Sequence, residues 1–354
     1  MKNINVCLVG VGNCASALVQ GVEFYKTNNS KDAVGVTLDI GGYSVDSIKF
    51  VLGFDVNKNK VLKSIEEAIF VEPNCADFLY TPKFLGKVYK GPLMDGLDSA
   101  IKDFVPHDDS QTTSDIESLL KEHKVDVMLI LLPTGSQDAA EFYAKAAISS
   151  GCSIVNGMPA DIANHKEIVR LAEENSVCII GDDIKSQVGA TIIHRALMNL
   201  FPMRNAFVDR TIQLDWGGDM DFCNLTSNGR YNSGGKRRSK TESVVDGQVN
   251  KEDIDIQVSA VDYIPFLKNQ KEAYTRIEGR IFGGKKVRID VNLQVEDAYN
   301  SAGILVDALR VIKVAKDRGV GGVLDFASAF FNKRPPTQLN DQIASIKLKD
   351  FLQG

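Results

Sequence analysis

Six residues, Gly181 to Ser186 (GDDIKS), put two adjacent carboxylates, an ammonium and a hydroxyl between an apolar run and a helix-like pattern. A surface turn has no need of that charge beside an apolar strand. Opposite charges held together suit a site from which water is excluded, because neither is then left unpaired. A strand end followed directly by a helix start, in an open parallel sheet, is also where ligands collect. The competing reading makes Asp182 or Asp183 a simple helix cap. A second stretch is GxGxxA, formed by Gly10, Gly12 and Ala15 around Val11, Asn13 and Cys14. The first glycine permits a turn, the second lets backbone approach a pyrophosphate, and the small third residue allows close helix–strand packing. A third, GGKRRSKTES, holds Lys236 and Lys240 four residues apart. On a helix they share a face and repel mildly unless an anion lies between them; taken alone the stretch reads as a solvated basic loop.

Alternating strands and helices must position these groups. Residues 4–10, 48–55, 125–133, 152–157 and 177–183 are apolar runs of strand length, and helical patterns follow at Ala15–Tyr25, after Ser136, at 164–176 and at 187–200. That alternation predicts a parallel sheet covered on both faces. Asp55 ends the second strand, where a ribose-binding acid belongs; it lies beyond the usual ~20 residues, and a polar excursion at 27–47 accounts for the distance. A carboxylate there would repel a 2′-phosphate, so NAD is expected over NADP. Thr134, Gly135 and Ser136 follow the third strand and either line the cofactor's far side or cap a helix.

After Pro202 the pattern changes to strands at 211–216, 253–261, 272–282 and 285–297, with Val287, Ile289, Val291, Leu293 and Val295 alternating with polar residues. One buried and one wet face is antiparallel patterning. From Ser301 the chain returns to a helix ending at Gly319. The expected fold is α/β: a Rossmann-like doubly wound parallel sheet with an inserted α+β domain on a mainly antiparallel sheet. The expected division is 1–200 with 298–354 for the NAD-binding domain and 201–297 for the inserted domain.

Composition narrows the classes. The 354-residue chain carries a net charge of −5, which argues against broad nucleic-acid binding, and it has no membrane-length apolar run. Its N-terminus enters a strand directly, without a signal-peptide pattern. Six cysteines (Cys7, Cys14, Cys75, Cys152, Cys178, Cys223) form no CxxC pair and sit mostly in apolar runs, which points to a reducing cytoplasm. The four histidines form no metal motif, so no metal ligand is expected among them.

The order VCLVGVGNCASALVQGVEFY, NGMP, GDDIKSQVGATI, GGDMDFCNL, EGRIFGG, SAGILVDALR and KDRGVGG resembles the inositol-phosphate synthase family, in its short bacterial and archaeal branch, from about Ile4 to the C-terminus. The resemblance implies conversion of glucose 6-phosphate to 1L-myo-inositol 1-phosphate (1D-myo-inositol 3-phosphate), an isomerase reaction that opens inositol and inositol phospholipid synthesis. NAD-dependent oxidation at C5, enolisation, intramolecular aldol closure of C6 on C1 and re-reduction would follow one another. Oxyanions form at C5 and at the C1 oxygen, so fixed cations and a proton-shuttling lysine are wanted. Lys236, Lys240, Lys271 and Lys333 match the family's lysines, and Asp221 and Asp297 match acids that would orient them; Asp297 otherwise reads as a cap before Ser301. Lys268 is a decoy near Lys271. Cofactor contacts are expected from Gly10, Gly12, Asn13, Cys14, Ala15, Asp55, Thr134, Gly135, Asn156, Asp183 and Lys185. Ser186, Gln187 and Lys240 would hold the substrate phosphate, with Ser186 at a helix N-terminus. A homo-oligomer built as a dimer of dimers is implied, with 201–297 as the catalytic and oligomerisation domain, and use of a divalent or monovalent cation is left open. The alternatives are an NAD-dependent sugar or polyol dehydrogenase, which would show Glu-Lys-Pro where NGMP stands, and a non-enzymatic NAD-binding sensor.

Overall fold

The computed structural model describes residues 2–27, 34–83, 85–97, 101–108, 110, 112–227, 236–245 and 253–354. Its strands are β1 (Ile4–Val9), β2 (Asp39–Ile40), β3 (Tyr43–Ser44), β4 (Ile48–Asp55), β5 (Lys87–Lys90), β6 (Val127–Ile130), β7 (Ser153–Asn156), β8 (Cys178–Ile180), β9 (Phe207–Gly217), β10 (Asp255–Tyr263), β11 (Gln270–Ile281), β12 (Lys285–Glu296) and β13 (Gly322–Val323). Its described helices are α1 (Asn13–Thr27), α2 (Ile65–Ala68), α3 (Ile116–Glu122), α4 (Gln137–Ser149), α5 (Lys166–Glu174), α6 (Ala190–Met203), α7 (Met220–Ser227), α8 (Lys236–Val245), α9 (Asp297–Asp317), α10 (Asp325–Phe331) and α11 (Asp341–Gln353).

Seven strands form a parallel sheet in the order β13-β8-β7-β6-β1-β4-β5. The chain runs outward from β1 through β4 and β5, then restarts on β1's other side at β6. The crevice at the C-terminal ends of β1 and β6 is therefore the topological switch point, where open α/β sheets take ligands. The period-2 alternation of β1 sorts its side chains between two cores. Ile4, Val6 and Leu8 face α1 and α9, whereas Cys7 and Val9 face the layer of α3 and α4. All five are 0% exposed, and full burial of each Val, Leu or Ile is worth ~1.5–3 kcal/mol. α9 packs against α1 and back onto β7 and β8, so the C-terminal segment completes the first layer. Cys7, Cys152, Cys178 and Cys223 are buried and all six cysteines are free thiols; burial pushes the Cys7 thiol well up.

The second sheet has the order β10-β9-β11-β12. β9–β11 and β11–β12 are antiparallel, but β10 runs parallel to β9, a pairing that alternation cannot reveal. A smaller core of Met198, Phe201, Val208, Val244, Ile254 and Ile277 lies between this sheet and α6 and α8. Val287 and Ile289 pack against it only half-buried, because β12 is an edge strand. No described helix is long and apolar enough to cross a membrane.

Two element boundaries bear on the site. α6 begins at Ala190 with Gly189 as its N-cap, not at Gln187, so Ser186 lies before the helix rather than at its N-terminus. α9 begins at Asp297, four residues before Ser301, with Glu296 as N-cap; Asp297 is thus a first-turn residue.

Candidate active site

The glycine turn stands at the switch point. Gly10 has φ +87°, and a Cβ there would come 2.5 Å from the Leu131 carbonyl oxygen, so only glycine fits. A Cβ on Gly12 would meet nothing within 4 Å; the backbone is bare toward the cavity, as a phosphate cradle requires. Asp55, at the end of β4, accepts from Val11 N at 2.9 Å and Asn57 N at 2.8 Å. One N–H per carboxylate oxygen leaves lone pairs for a diol. Lys60 donates to Val11 O at 2.6 Å and lies 4.0 Å from Asp55, so Val11 in the turn is held by an acid at its N–H and an ammonium at its carbonyl. Asn13 lines the cavity while its amide brackets Cys75, donating to Sγ at 3.3 Å and accepting from Cys75 N at 2.9 Å. Cys14 and the fully buried Ala15 complete this wall.

The GDDIKS segment is held by pairing with residues 331–334. Asp182 N donates to Arg334 O and Arg334 N returns to Asp182 O, both at 3.0 Å; Lys333 N donates to Asp183 O and Lys185 N to Phe331 O, both at 2.7 Å. This pairing is what carries Lys333 to Asp183, an ion pair of 2.9 Å across 150 residues. The two aspartates point in opposite directions. Asp182 is fully buried and accepts from Ala163 N at 3.0 Å, Ile162 N at 3.2 Å, Asn164 N at 3.3 Å, Asn156 Nδ2 at 2.8 Å and Asn164 Nδ2 at 2.9 Å. Burial raises its carboxyl to about 6 against those donors. It braces a neighbouring turn and caps no helix. Asp183, at φ +62°, lines the cavity.

Lys271 reaches the same cavity from β11, at the register opposite Gly217 of β9 and Val295 of β12. It pairs with Asp297 at 3.4 Å and lies 5.7 Å from the Phe222 ring centre. Asp297 is placed by Asn269, whose carbonyl accepts from Asp297 N at 3.0 Å and whose side chain accepts from Ala298 N at 3.2 Å. Lys240 enters from α8 and pairs with the buried Asp215. Lys240, Lys271 and Lys333, from three remote segments, thus each meet a carboxylate at the cavity that Lys60 also lines. Asp221 accepts from Thr134 Oγ1 at 3.0 Å, which ties α7 to the loop after β6. Asp219, beside it, accepts from Asp221 N at 2.9 Å and Phe222 N at 3.1 Å. Burial, then the charges of Asp297 and Asp221, push its carboxyl up to about 7.

Several expected contacts are redirected. Lys185 sends its ammonium away from the cavity, to Ala329 O at 2.7 Å and Asp341 at 2.8 Å, where Arg195 joins the same carboxylate at 2.8 Å. It ties the junction to the C-terminal helix and does not line the cavity. Gln187 turns outward: its N–H donates to Asn300 O at 2.9 Å and its side chain to Gly35 O at 2.6 Å, and it does not line the cavity. Asn156 is fully buried and spends its amide on Ala160 O and Asp182, both at 2.8 Å; Gly157, Met158 and Pro159 line the cavity in its place. Gly135, at φ +95°, makes the turn before α4 while Thr134 lines the cavity. Ser186 does line it, 3.4 Å from Ser301 Oγ. Lys236 opens α8, but its side chain lies outside the described residues. Lys60, Asp215 and Asp219 were not expected. Asp219 sits in the GGDMDF run beside Asp221, a signal available in sequence; the other two had none that local pattern could supply.

A doubly wound α/β sheet whose switch-point cleft is walled by a second, lysine-bearing sheet is the class of protein that this fold and site define. The family model for myo-inositol-1-phosphate synthase matches residues 189–298, the span from the N-cap of α6 to the first turn of α9. The inositol-3-phosphate synthase of Mycolicibacterium smegmatis is 41% identical over 361 residues, which cover 99% of this chain and 98% of that protein. That of Corynebacterium glutamicum is 39% identical over 360 residues, with 99% and 98% covered. Among solved structures, Ari2 aligns over 100% of both chains with a TM-score of 0.78 and 31% identity. The chain belongs to the inositol-3-phosphate synthase family.

Proposed function

We propose that this protein converts glucose 6-phosphate to 1L-myo-inositol 1-phosphate with NAD as a recycled cofactor. The observation that supports this most is the convergence of Lys240, Lys271 and Lys333, each beside a carboxylate, on the cavity that also contains the glycine turn. The bare Gly12 edge and the carboxylate of Asp55 fit a dinucleotide's phosphates and ribose, and Asp55 would disfavour a 2′-phosphate. Bound there, NAD supplies an acceptor for hydride from C5 and its later return.

The chain's own groups do the remaining work. The ammonium groups of Lys271 and Lys333 would give oxyanions at C5 and C1 fixed positive charge, and each has a carboxylate partner to hold it in place. Asp219 holds its proton up to about pH 7, which suits it to exchange one with the sugar. Ser186 and Lys240 would receive the substrate phosphate. The domain division expected from sequence, 1–200 with 298–354 around 201–297, assigns the glycine turn to one unit and Lys240 and Lys271 to the other. A cytoplasmic homo-oligomer is part of the same reading. Free cysteines suit a reducing compartment, and Phe282, 98% exposed at the tip between β11 and β12, offers apolar surface to a second copy.

With NAD present at a few per cent of the sugar phosphate, many turnovers to inositol phosphate are expected. NADH accumulating mole for mole with substrate consumed would overturn the proposal in favour of a dehydrogenase. Ser186→Ala should weaken glucose 6-phosphate more than NAD; an equal effect on both would remove Ser186 from the phosphate site.

A further inference from the structure

We propose that Asp215, Gln213 and His194 form a positioning chain behind Lys240, which fixes where its ammonium points and keeps it charged before substrate enters. The inference rests on the reading of Lys240 as a charge donor to substrate.

Asp215 is 0% exposed and Lys240 2% exposed. Gln213 Nε2 donates to both Asp215 oxygens, at 2.9 and 3.1 Å. A carboxylate only accepts, so the amide must present its NH2 to Asp215 and its oxygen to His194. That oxygen lies 3.0 Å from His194 Nδ1, which must therefore carry a hydrogen. His194 Nε2 lies 2.7 Å from Thr211 Oγ1, which is itself 2.7 Å from Arg276 O. Burial holds His194 down at about 4, so the ring is neutral, and its bare Nε2 shares the single Thr211 hydroxyl proton with Arg276 O. From Asp215 through Gln213 to His194 Nδ1, each donor direction follows from its neighbour.

The placement is systematic. Thr211, Gln213 and Asp215 occupy alternate positions of β9, on the face toward α6, in register with Ile277, Thr275 and Ala273 of β11. The next pair in that row is Gly217 and Lys271, at the cavity. A strand that had only to fold would bury apolar residues here, since a buried ion pair seldom outdoes a hydrophobic replacement in stability. Three elements face Asp215 with titratable groups: α8 with Lys240, β11 with Lys271 and α6 with His194. Burial pushes the Asp215 carboxyl up, yet the two ammonium groups hold it below its usual range. The pair is thus charged on both sides.

The test labels lysines with acetic anhydride across pH and follows the Lys240 peptide by mass spectrometry in the full-length protein. Asp215→Asn should lower the pH midpoint of Lys240 labelling by at least about one unit, because a desolvated ammonium without its counter-charge gives up its proton more readily. It should also lower kcat at least tenfold with a smaller change in KM, and Asp215→Glu should recover the midpoint. Gln213→Leu keeps the Asp215 charge but frees its orientation; kcat should fall severalfold with the midpoint within half a unit of the original. It serves equally if Asp215→Asn does not fold. An unchanged Lys240 midpoint in folded Asp215→Asn, or full activity in Gln213→Leu, overturns the proposal. The labelling does not depend on turnover, so failure of the glucose 6-phosphate reading would leave the midpoint shift intact.

Discussion

β1 and β9 are both central strands, and they are buried in opposite ways. β1 is apolar on its two faces and serves two cores. β9 turns Thr211, Gln213 and Asp215 toward α6 and leaves Ile212, Leu214 and Trp216 on its half-exposed side. Apolar burial is non-directional: it sets how firmly the glycine turn is held, but not where any one group points. Polar burial must be paired atom by atom, so it carries orientation from one group to the next. The first region builds the platform and the second aims the charges. A substitution in each should therefore fail differently.

The largest effect is expected in the platform. Leu8→Ala should cost about 2–5 kcal/mol in denaturant unfolding, while turnover per folded molecule stays near that of the parent. A loss of turnover without a loss of stability would erase the distinction. The charges should show the reverse. Lys271→Ala and Lys333→Ala should each lower turnover by at least about a hundredfold, the scale of removing one preorganised charge donor, with NAD still bound. Lys268→Ala is the control: Lys268 sits in the turn before β11 and does not line the cavity, and its loss should be mild. If Lys268 and Lys271 behaved alike, the role given to Lys271 would be wrong.

Asp182 and Asp183 repeat the comparison between neighbours. Asp182 ionises at about 6 when folded, above an ordinary carboxyl, so protonation favours the folded state. The stability this contributes is fully present below about pH 4 and is lost as pH rises through about 6, a change of up to ~3 kcal/mol for a shift of about two units. Relative to Asp182→Asn, the parent should lose stability across that window, read from melting temperatures at each pH; parallel profiles would remove Asp182 as the cause. Asp183→Asn should lower turnover with melting little changed. The smallest effect concerns cofactor choice. Asp55→Ser should narrow the preference for NAD over NADP, measured by titration of both; equal binding of the two by the unmutated protein would refute the assignment.

What could be read from sequence divides along the same line. Continuous apolar runs marked β1, β4, β6, β7 and β8, and GxGxxA marked the turn, because apolar burial and glycine conformation are written locally. β5 escaped notice since KVYK carries lysines at both ends. Lys185, Gln187 and Asn156 were expected at the ligand because charge and amide groups in a motif reveal chemistry but not direction. That direction came from Asp341, Asn300 and Asp182, remote or packed in ways no local spacing encodes. Asp215 was missed for a related reason. In TIQLDW, alternation suggests that Ile212, Leu214 and Trp216 face inward, and the strand does the opposite because its inner face serves Lys240.

The central claim is that one closed site oxidises C5 and returns the same hydride to it. Glucose 6-phosphate carrying deuterium at C5, turned over with excess unlabelled NAD, tests this most directly. The account predicts inositol phosphate that keeps its deuterium, with none in the NADH pool. Deuterium lost from product, or found in free NADH in proportion to turnover, would contradict it.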